Sequence, residues 1–339
     1  MVVTERPSSY IKLESLFEIE EYLAAKNILL ITGQRSFEQS GAKARIFDRL
    51  TTEKSVKHIF DFTNNPSFTE LTAALAKCGE AKYDLIVAVG GGTILDYAKL
   101  IKMFMSCEDE DIANAVVNGS RIRIGRNTPI VAVPSSAGTG SEATAFAVIY
   151  YHNRKYSVSH DDILPDYVIH DSALPSSNSD QQKIAQGLDA LSQAIESFWS
   201  LRSTAESQKY SLEAINLVIK NLPLFVSGSS TAPVVEAMQL GSYSAGKAIN
   251  IAKTTAPHAW SYYLSSHYNI SHGIAVWYTL PKVFDLHLES KNIRDGLEFD
   301  RHRKDMDQLC EAIGISDTLP SVYFKNYLAR LGLEIDISE

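Results

Sequence analysis

No apolar run in this sequence is long. The most apolar stretches, such as 84–89 and 129–133, fall far short of the roughly 20 residues a membrane span requires. The first residues, MVVTERPSSYIKLESL, carry early charges and no apolar segment, so no secretory leader is expected. Cysteine is scarce: Cys78, Cys107 and Cys310 are far apart and show no CxxC spacing. That argues against a disulfide scaffold and suits reduced thiols in a cytoplasmic protein. An excess of positive charge is also missing. The 32 basic and 40 acidic side chains leave a net charge of −8, so neither nucleic acid nor an anionic membrane is expected as the main partner. Repeats are lacking, and the acidic run Glu108–Asp111 reads as a solvated edge.

What is present describes an ordinary globular protein, with 45% apolar and 21% charged residues in a chain of 339 that is long enough for two domains. In the first half, apolar runs at Asn27–Thr32, Val56–Phe60, Asp84–Val89 and Pro129–Val133 predict strands. Between them, Ser67–Cys78 and Thr93–Met105 space apolar residues as helices do. That alternation predicts a parallel sheet covered on both faces. The polar stretch SALPSSNSDQQ reads as an interdomain connection, followed by helical patterns over roughly 178–201, 204–221, 232–252, 257–267 and 273–290. The expected architecture is therefore an α/β dinucleotide-binding domain over 1–174 and an all-α domain over 175–339.

Two loops at predicted strand ends stand out. The run DLIVAV leads straight into Gly90, Gly91, Gly92 and Thr93, then into a helical pattern. Glycines allow close approach of a phosphate to the backbone, and a helix N-terminus offers N–H groups and a positive dipole end. A bare strand–helix turn could use the same glycines. The second loop, PSSAGTGSE, contains Ser135, Ser136 and Thr139, and together the two loops suggest a dinucleotide cradle. The first strand ends at Gly33 where many NAD sites carry a carboxylate, and Arg35 nearby could meet a 2′-phosphate.

A polar set punctuates the second half. Asp189 and Gln193 share a helix face within GLDALSQAIE, and His258, His267 and His272 follow. An aspartate with two histidines suits zinc or ferrous iron. Nine histidines in one chain make chance pairs common, so spacing alone leaves a core role open.

Taken together, these segments resemble the iron-containing (group III) alcohol dehydrogenase family, whose fold is related to that of dehydroquinate synthase. GGGTILDYAK resembles GGGS-x-x-D-x-AK, and PSSAGTGSEAT resembles TT-x-GTGSE-x-T. RKYSVSHDDILPDYVIHD, GLDALSQAIE and HAWSY…SHGIAVWYTLP resemble three further family motifs, in the family's order. The resemblance implies an NAD(P)H-dependent, metal-containing aldehyde reductase, with Fe(II) or Zn(II), acting on small molecules as a homodimer. It implies cofactor contacts at Gly33, Asn65, Gly90, Gly91, Gly92, Thr93, Asp96, Ser135, Ser136, Thr139 and Lys155, and metal ligands Asp189, His258 and His272. Gln193 stands where the family usually has a fourth ligand, a histidine, and Tyr262 where many members carry another histidine. Tyr262 and His267 are the candidate proton carriers. Within the family, AGKAINIAKTTAPHAWSYYL looks most like the branch that reduces phosphonoacetaldehyde to 2-hydroxyethylphosphonate, with Lys253 and Thr254 as candidate partners for the anionic tail. Other small aldehydes, and a sugar-phosphate cyclase on the same fold, are the competing expectations.

Overall fold

Three apolar runs, NILLIT, LIVAVG and IVAVP, form neighbouring strands because only a site buried on both faces accommodates so many consecutive apolar side chains. The structure is a computed structural model that describes residues 7–335 apart from 11, 64, 106–111, 120–123, 125–127, 229, 269 and 290–298. Cys107 and the acidic run Glu108–Asp111 thus lie outside the described residues. In chain order the strands are β1 (Ser8–Tyr10), β2 (Asn27–Thr32), β3 (Ser55–Ile59), β4 (Leu85–Gly90), β5 (Ile130–Pro134), β6 (Phe146–Tyr151), β7 (Arg154–Ser159) and β8 (Tyr167–Ile169). Six of them make a parallel sheet in the order β1-β8-β5-β4-β2-β3. Alternate side chains feed two cores, with Leu29, Ile31, Ile86, Ala88 and Ala132 on one face. Ile28, Leu30, Val87, Val89 and Val133 lie on the other.

Strands β6 and β7 form a separate antiparallel hairpin, turned by His152 and Asn153 at φ 48° and 58°. Left-handed φ at both central residues is the twist-matched geometry for a two-residue hairpin turn. The hairpin is tied to the loop after β3 by the Tyr150 amide, which donates to the Pro66 carbonyl at 2.7 Å.

Contacts divide the chain into two compact units, Met1–Ser136 with Ser141–Ser177, and Ala137–Gly140 with Asn178–Glu339. The described part of the second unit is helical, and its central element is the Asp180–Trp199 helix, buried continuously from Gly187 to Trp199. A reciprocal capping box between Ser179 and Gln182 starts it, which is why the serine-rich connection ends there. It packs against the Ala205–Val226 and Ala232–Ala252 helices, with Ala256–Tyr268 and His272–Val276 following. The single helix expected over 273–290 is two, His272–Val276 and Leu280–Glu289. Pro281 lacks the N–H that a continuous helix would require at that position.

The Ala137–Gly140 loop folds with these helices. The Ala137 amide donates to Gln186 Oε1 at 3.2 Å, and the Gly140 amide donates to Ser242 Oγ at 3.2 Å. Gly140 has φ +62°, and a Cβ there would lie 2.5 Å from Gly246 Cα. No other residue type fits that position.

Candidate metal centre and cofactor loops

Asp189, His258 and His272 come together in the helical unit, each offering one ligand atom, all within 4.8 Å of one another. Helix geometry explains the meeting. Asp189 faces inward at the middle of its helix, His258 is in the first turn of Ala256–Tyr268, and His272 begins the next helix. The last approach depends on Gly273, where a Cβ would stand 2.0 Å from the Ala185 carbonyl oxygen and 2.9 Å from Asp189 Cβ.

Hydrogen bonds fix both imidazoles. His258 Nδ1 lies against Glu196 Oε1, and a carboxylate only accepts, so Nδ1 carries the proton and Nε2 is turned to Asp189. Ser261 donates its hydroxyl to the His258 carbonyl at 2.7 Å, leaving Oγ to accept from His272 Nδ1 at 3.1 Å. In the neutral rings, Nε2 of both His258 and His272 is then the unprotonated nitrogen. This arrangement, with one ring nitrogen held by an acceptor and the other presented, is how histidines are prepared as metal ligands.

His258 Nε2 is 3.4 Å from Asp189 Oδ1, both side chains being buried. That is wider than a charge-assisted hydrogen bond of about 2.7–2.9 Å. It matches the roughly 3.3–3.4 Å between two donors each about 2.0–2.1 Å from one tetrahedral ion. Burial opposes a charged imidazole, but Glu196 and Asp189 outweigh it and hold His258 up at about 9. A proton and a cation compete for the same electron pair there. The residues present fit a divalent ion.

Glu196 and Ser261 went unassigned in the sequence, although Glu196 lies seven residues after Asp189 on the same helix face. Glu196 is fully buried, and its second oxygen accepts from the Thr255 amide at 2.6 Å and the Thr255 hydroxyl at 2.7 Å. Trp199 Nε1 donates to the same Thr255 Oγ1 at 3.0 Å.

The two candidate proton carriers part company. Tyr262 stacks on the His272 ring, with centroids 5.7 Å apart and planes 15° from parallel, and is 39% exposed. His267 is exposed in the last turns of its helix, stacked on Tyr263, with Nδ1 beside Ser266 Oγ and the Tyr263 carbonyl. Nine residues place it about 180° around the helix from His258. His267, unlike Tyr262, is therefore not brought to the trio.

In the α/β unit, Gly33 follows β2, Asn65 follows β3, Gly90–Thr93 close β4, and Ser135 and Ser136 follow β5. These four strands are neighbours in the sheet, so the loops share its carboxyl edge, where open α/β sheets bind their ligands. The helix Gly92–Phe104 starts at Gly91 without a side-chain cap, and the Ser135 amide donates to the Gly90 carbonyl at 2.9 Å. Lys155 pairs with Tyr150 in the hairpin, whose Tyr150 is bonded to the loop carrying Asn65. Thr139 belongs to the loop that folds with the helices.

Asp96 serves the protein instead of facing outward. Its carboxylate accepts from Ser141 Oγ at 2.6 Å and the Val148 amide at 3.0 Å, and lies 3.4 Å from Lys99 Nζ. Fully buried Lys99 also donates to Ser141, Thr144 and the Phe146 carbonyl. This network braces the end of the second loop against the helix that follows the first. Burial pushes Glu142 up to about 7, with Lys99 opposing.

Lys253 ends the Ala232–Ala252 helix at φ 62° and ψ 175°, a region that is nearly glycine-only and costs on the order of 1–3 kcal/mol. Its Nζ reaches the Asn250 carbonyl at 3.1 Å, and burial, then Arg202, pushes its pKa down. Ser200 brings Arg202 there: Ser200 Oγ donates to the Ala252 carbonyl at 2.6 Å and accepts from the Arg202 amide at 3.2 Å. No motif had pointed to that cation. Thr254 is half-buried beside Lys253.

Comparison with known proteins agrees on one family. The family profile for iron-containing alcohol dehydrogenase matches residues 7–172, and its C-terminal companion matches 183–326. Long-chain-alcohol dehydrogenase 1 of Geobacillus thermodenitrificans is 31% identical over 273 residues, covering 80% of this chain and 69% of that protein. Phosphonoacetaldehyde reductase of Streptomyces viridochromogenes is 29% identical over 280 residues, covering 80% and 71%. The crystal structure of sulfoacetaldehyde reductase from Bifidobacterium kashiwanohense in complex with NAD+ superposes with a TM-score of 0.81 at 28% identity, covering 97% and 85%.

Proposed function

Since the chain belongs to the iron-containing alcohol dehydrogenase family, an oxidoreductase family that uses NAD(P) and a divalent metal, we propose that it reduces a short aldehyde with an anionic tail, phosphonoacetaldehyde above all, to 2-hydroxyethylphosphonate. The nicotinamide supplies the hydride for the carbonyl carbon, and the divalent ion supplies Lewis-acid polarisation of the carbonyl oxygen.

The observation that carries the chemistry is the trio Asp189, His258 and His272 with both tautomers locked. Asp189 and the two histidines would hold the ion, while Glu196 and Ser261 keep the imidazoles aimed. Tyr262 Oη hands a proton to the alcohol oxygen as it forms and recovers one from water, to which the ring is open. In the α/β unit, Gly90–Thr93, Ser135 and Ser136 would hold the pyrophosphate, with Asn65 and Lys155 as further contacts. No nucleophilic side chain is needed.

The anionic tail is the finer part of the reading. Lys253, with its strained backbone, stands two residues before Thr255, which is bonded to the glutamate that holds His258. Lys253 Nζ, the Thr254 hydroxyl and Arg202 together offer a phosphonate the cationic and hydroxyl partners it requires. Among the relatives, one is named for phosphonoacetaldehyde and another for sulfoacetaldehyde. We read the enzyme as a cytoplasmic homodimer. No helix among the described residues is long and apolar enough to cross a membrane, and Cys78 and Cys310 are free thiols whose pKa burial raises to about 11.

The test is NAD(P)H oxidation by metal-loaded enzyme with phosphonoacetaldehyde and with an uncharged aldehyde of equal length. In Lys253→Ala, KM for the phosphonate should rise at least tenfold, as expected from about 1.5–3 kcal/mol for a charged hydrogen bond, with the uncharged substrate little changed. Equal losses on both substrates would remove the anionic tail from the reading.

A further inference from the structure

Gln193 lies one helical turn beyond Asp189, on the same face, and is 5% exposed. Its amide end nearest the Ala137–Gly140 loop is 3.2 Å from the Thr139 carbonyl oxygen. A carbonyl can only accept, so the atom facing it is the NH2 group. Oε1 is thereby turned the other way, and it is buried with no hydrogen-bond partner among the described residues. Leaving such an oxygen unpaired costs about 1–3 kcal/mol. An amide held in the opposite sense would set two carbonyl oxygens against each other, so the loop backbone dictates which atom is presented.

We propose that Gln193 gives the metal its fourth protein donor through Oε1, so that the site is an N2O2 set with one formal negative charge, tuned toward harder divalent ions than a third imidazole would select. This rests on the reading of Asp189, His258 and His272 as ligands. Carbonyl and carboxylate oxygens suit Mg, Ca and Mn, whereas imidazole suits Zn, Cu and Fe. The glycine loop becomes part of the metal site, because the Thr139 carbonyl sets the orientation of the donor. The loop is in turn held by Gln186 and Ser242.

The experiment measures dissociation constants for Mn(II) and Zn(II), by chelator competition, and the visible spectrum of the Co(II) form. The proteins are wild type, Gln193→Leu, Gln193→His and His258→Ala. Gln193→Leu should weaken Mn(II) binding at least tenfold. Gln193→His should tighten Zn(II) binding, widen the preference for Zn(II) over Mn(II) at least tenfold, and change the Co(II) spectrum. If Gln193→Leu does not fold, Gln193→His still decides: an unchanged ion preference with an unchanged spectrum would place Gln193 outside the coordination shell and overturn the proposal. The control separates the two ideas. If wild type binds no ion, or His258→Ala still binds it, the metal-site reading itself fails.

Discussion

At the scale of single residues, the candidate centre depends as much on what holds the ligands as on the ligands. Glu196 is the clearest case, since one buried carboxylate fixes the His258 tautomer and satisfies the Thr255 amide and hydroxyl. Glu196→Gln keeps one acceptor for Thr255 but brings an NH2 to His258 Nδ1, which favours the tautomer protonated at Nε2. Outer partners of this kind are worth about 10–100-fold in metal affinity. A loss of that size is expected in chelator competition, with little change in Tm; an unaltered affinity would mean that Glu196 only supports the fold. Asp189, His258 and His272 were singled out through the resemblance of GLDALSQAIE and HAWSY…SHGIAVWYTLP to family motifs, since spacing alone left a core role open. Glu196, Ser261 and Arg202 were not, since each acts through a hydrogen bond or a neighbour that only the folded chain brings close. His267 stays apart from the trio for a simpler reason: nine residues along a helix reverse the face.

At the scale of elements, the approach of the His272–Val276 helix to the Asp180–Trp199 helix depends on a missing side chain. Gly273→Ala would drive a methyl into the Ala185 backbone carbonyl, 2.0 Å away, so the helix carrying His272 must retreat. Overpacking of this kind costs about 1–3 kcal/mol. The expected outcome is a lowered Tm together with at least tenfold weaker metal binding; full affinity in Gly273→Ala would show that His272 is not placed by this contact. The strands buried on both faces were readable because continuous apolar runs have few other uses. Strands β1 and β8, three residues each, are too short to carry a pattern. The hairpin went unread although FAVIYY is an apolar run, because its partner RKYSVS looks like polar loop and the turn depends on His152 and Asn153 adopting left-handed φ. The Ala205–Val226 helix also outruns the expected end at 221, because Pro223 is accommodated near its last turn.

At the scale of the whole molecule, the chain divides into two compact units, one with glycine and serine loops at a sheet edge and one with the candidate metal-ligating trio. The overall charge of −8 says little about the substrate, because Lys253 and Arg202 supply positive potential locally. The central claim is that a divalent ion is bound by Asp189, His258 and His272. An anomalous-difference map from crystals of the full chain grown with Co(II) tests it most directly. The expected result is one strong peak about 2.0–2.2 Å from Asp189 Oδ1 and from Nε2 of both histidines. A peak elsewhere, or none at saturating Co(II), would contradict it.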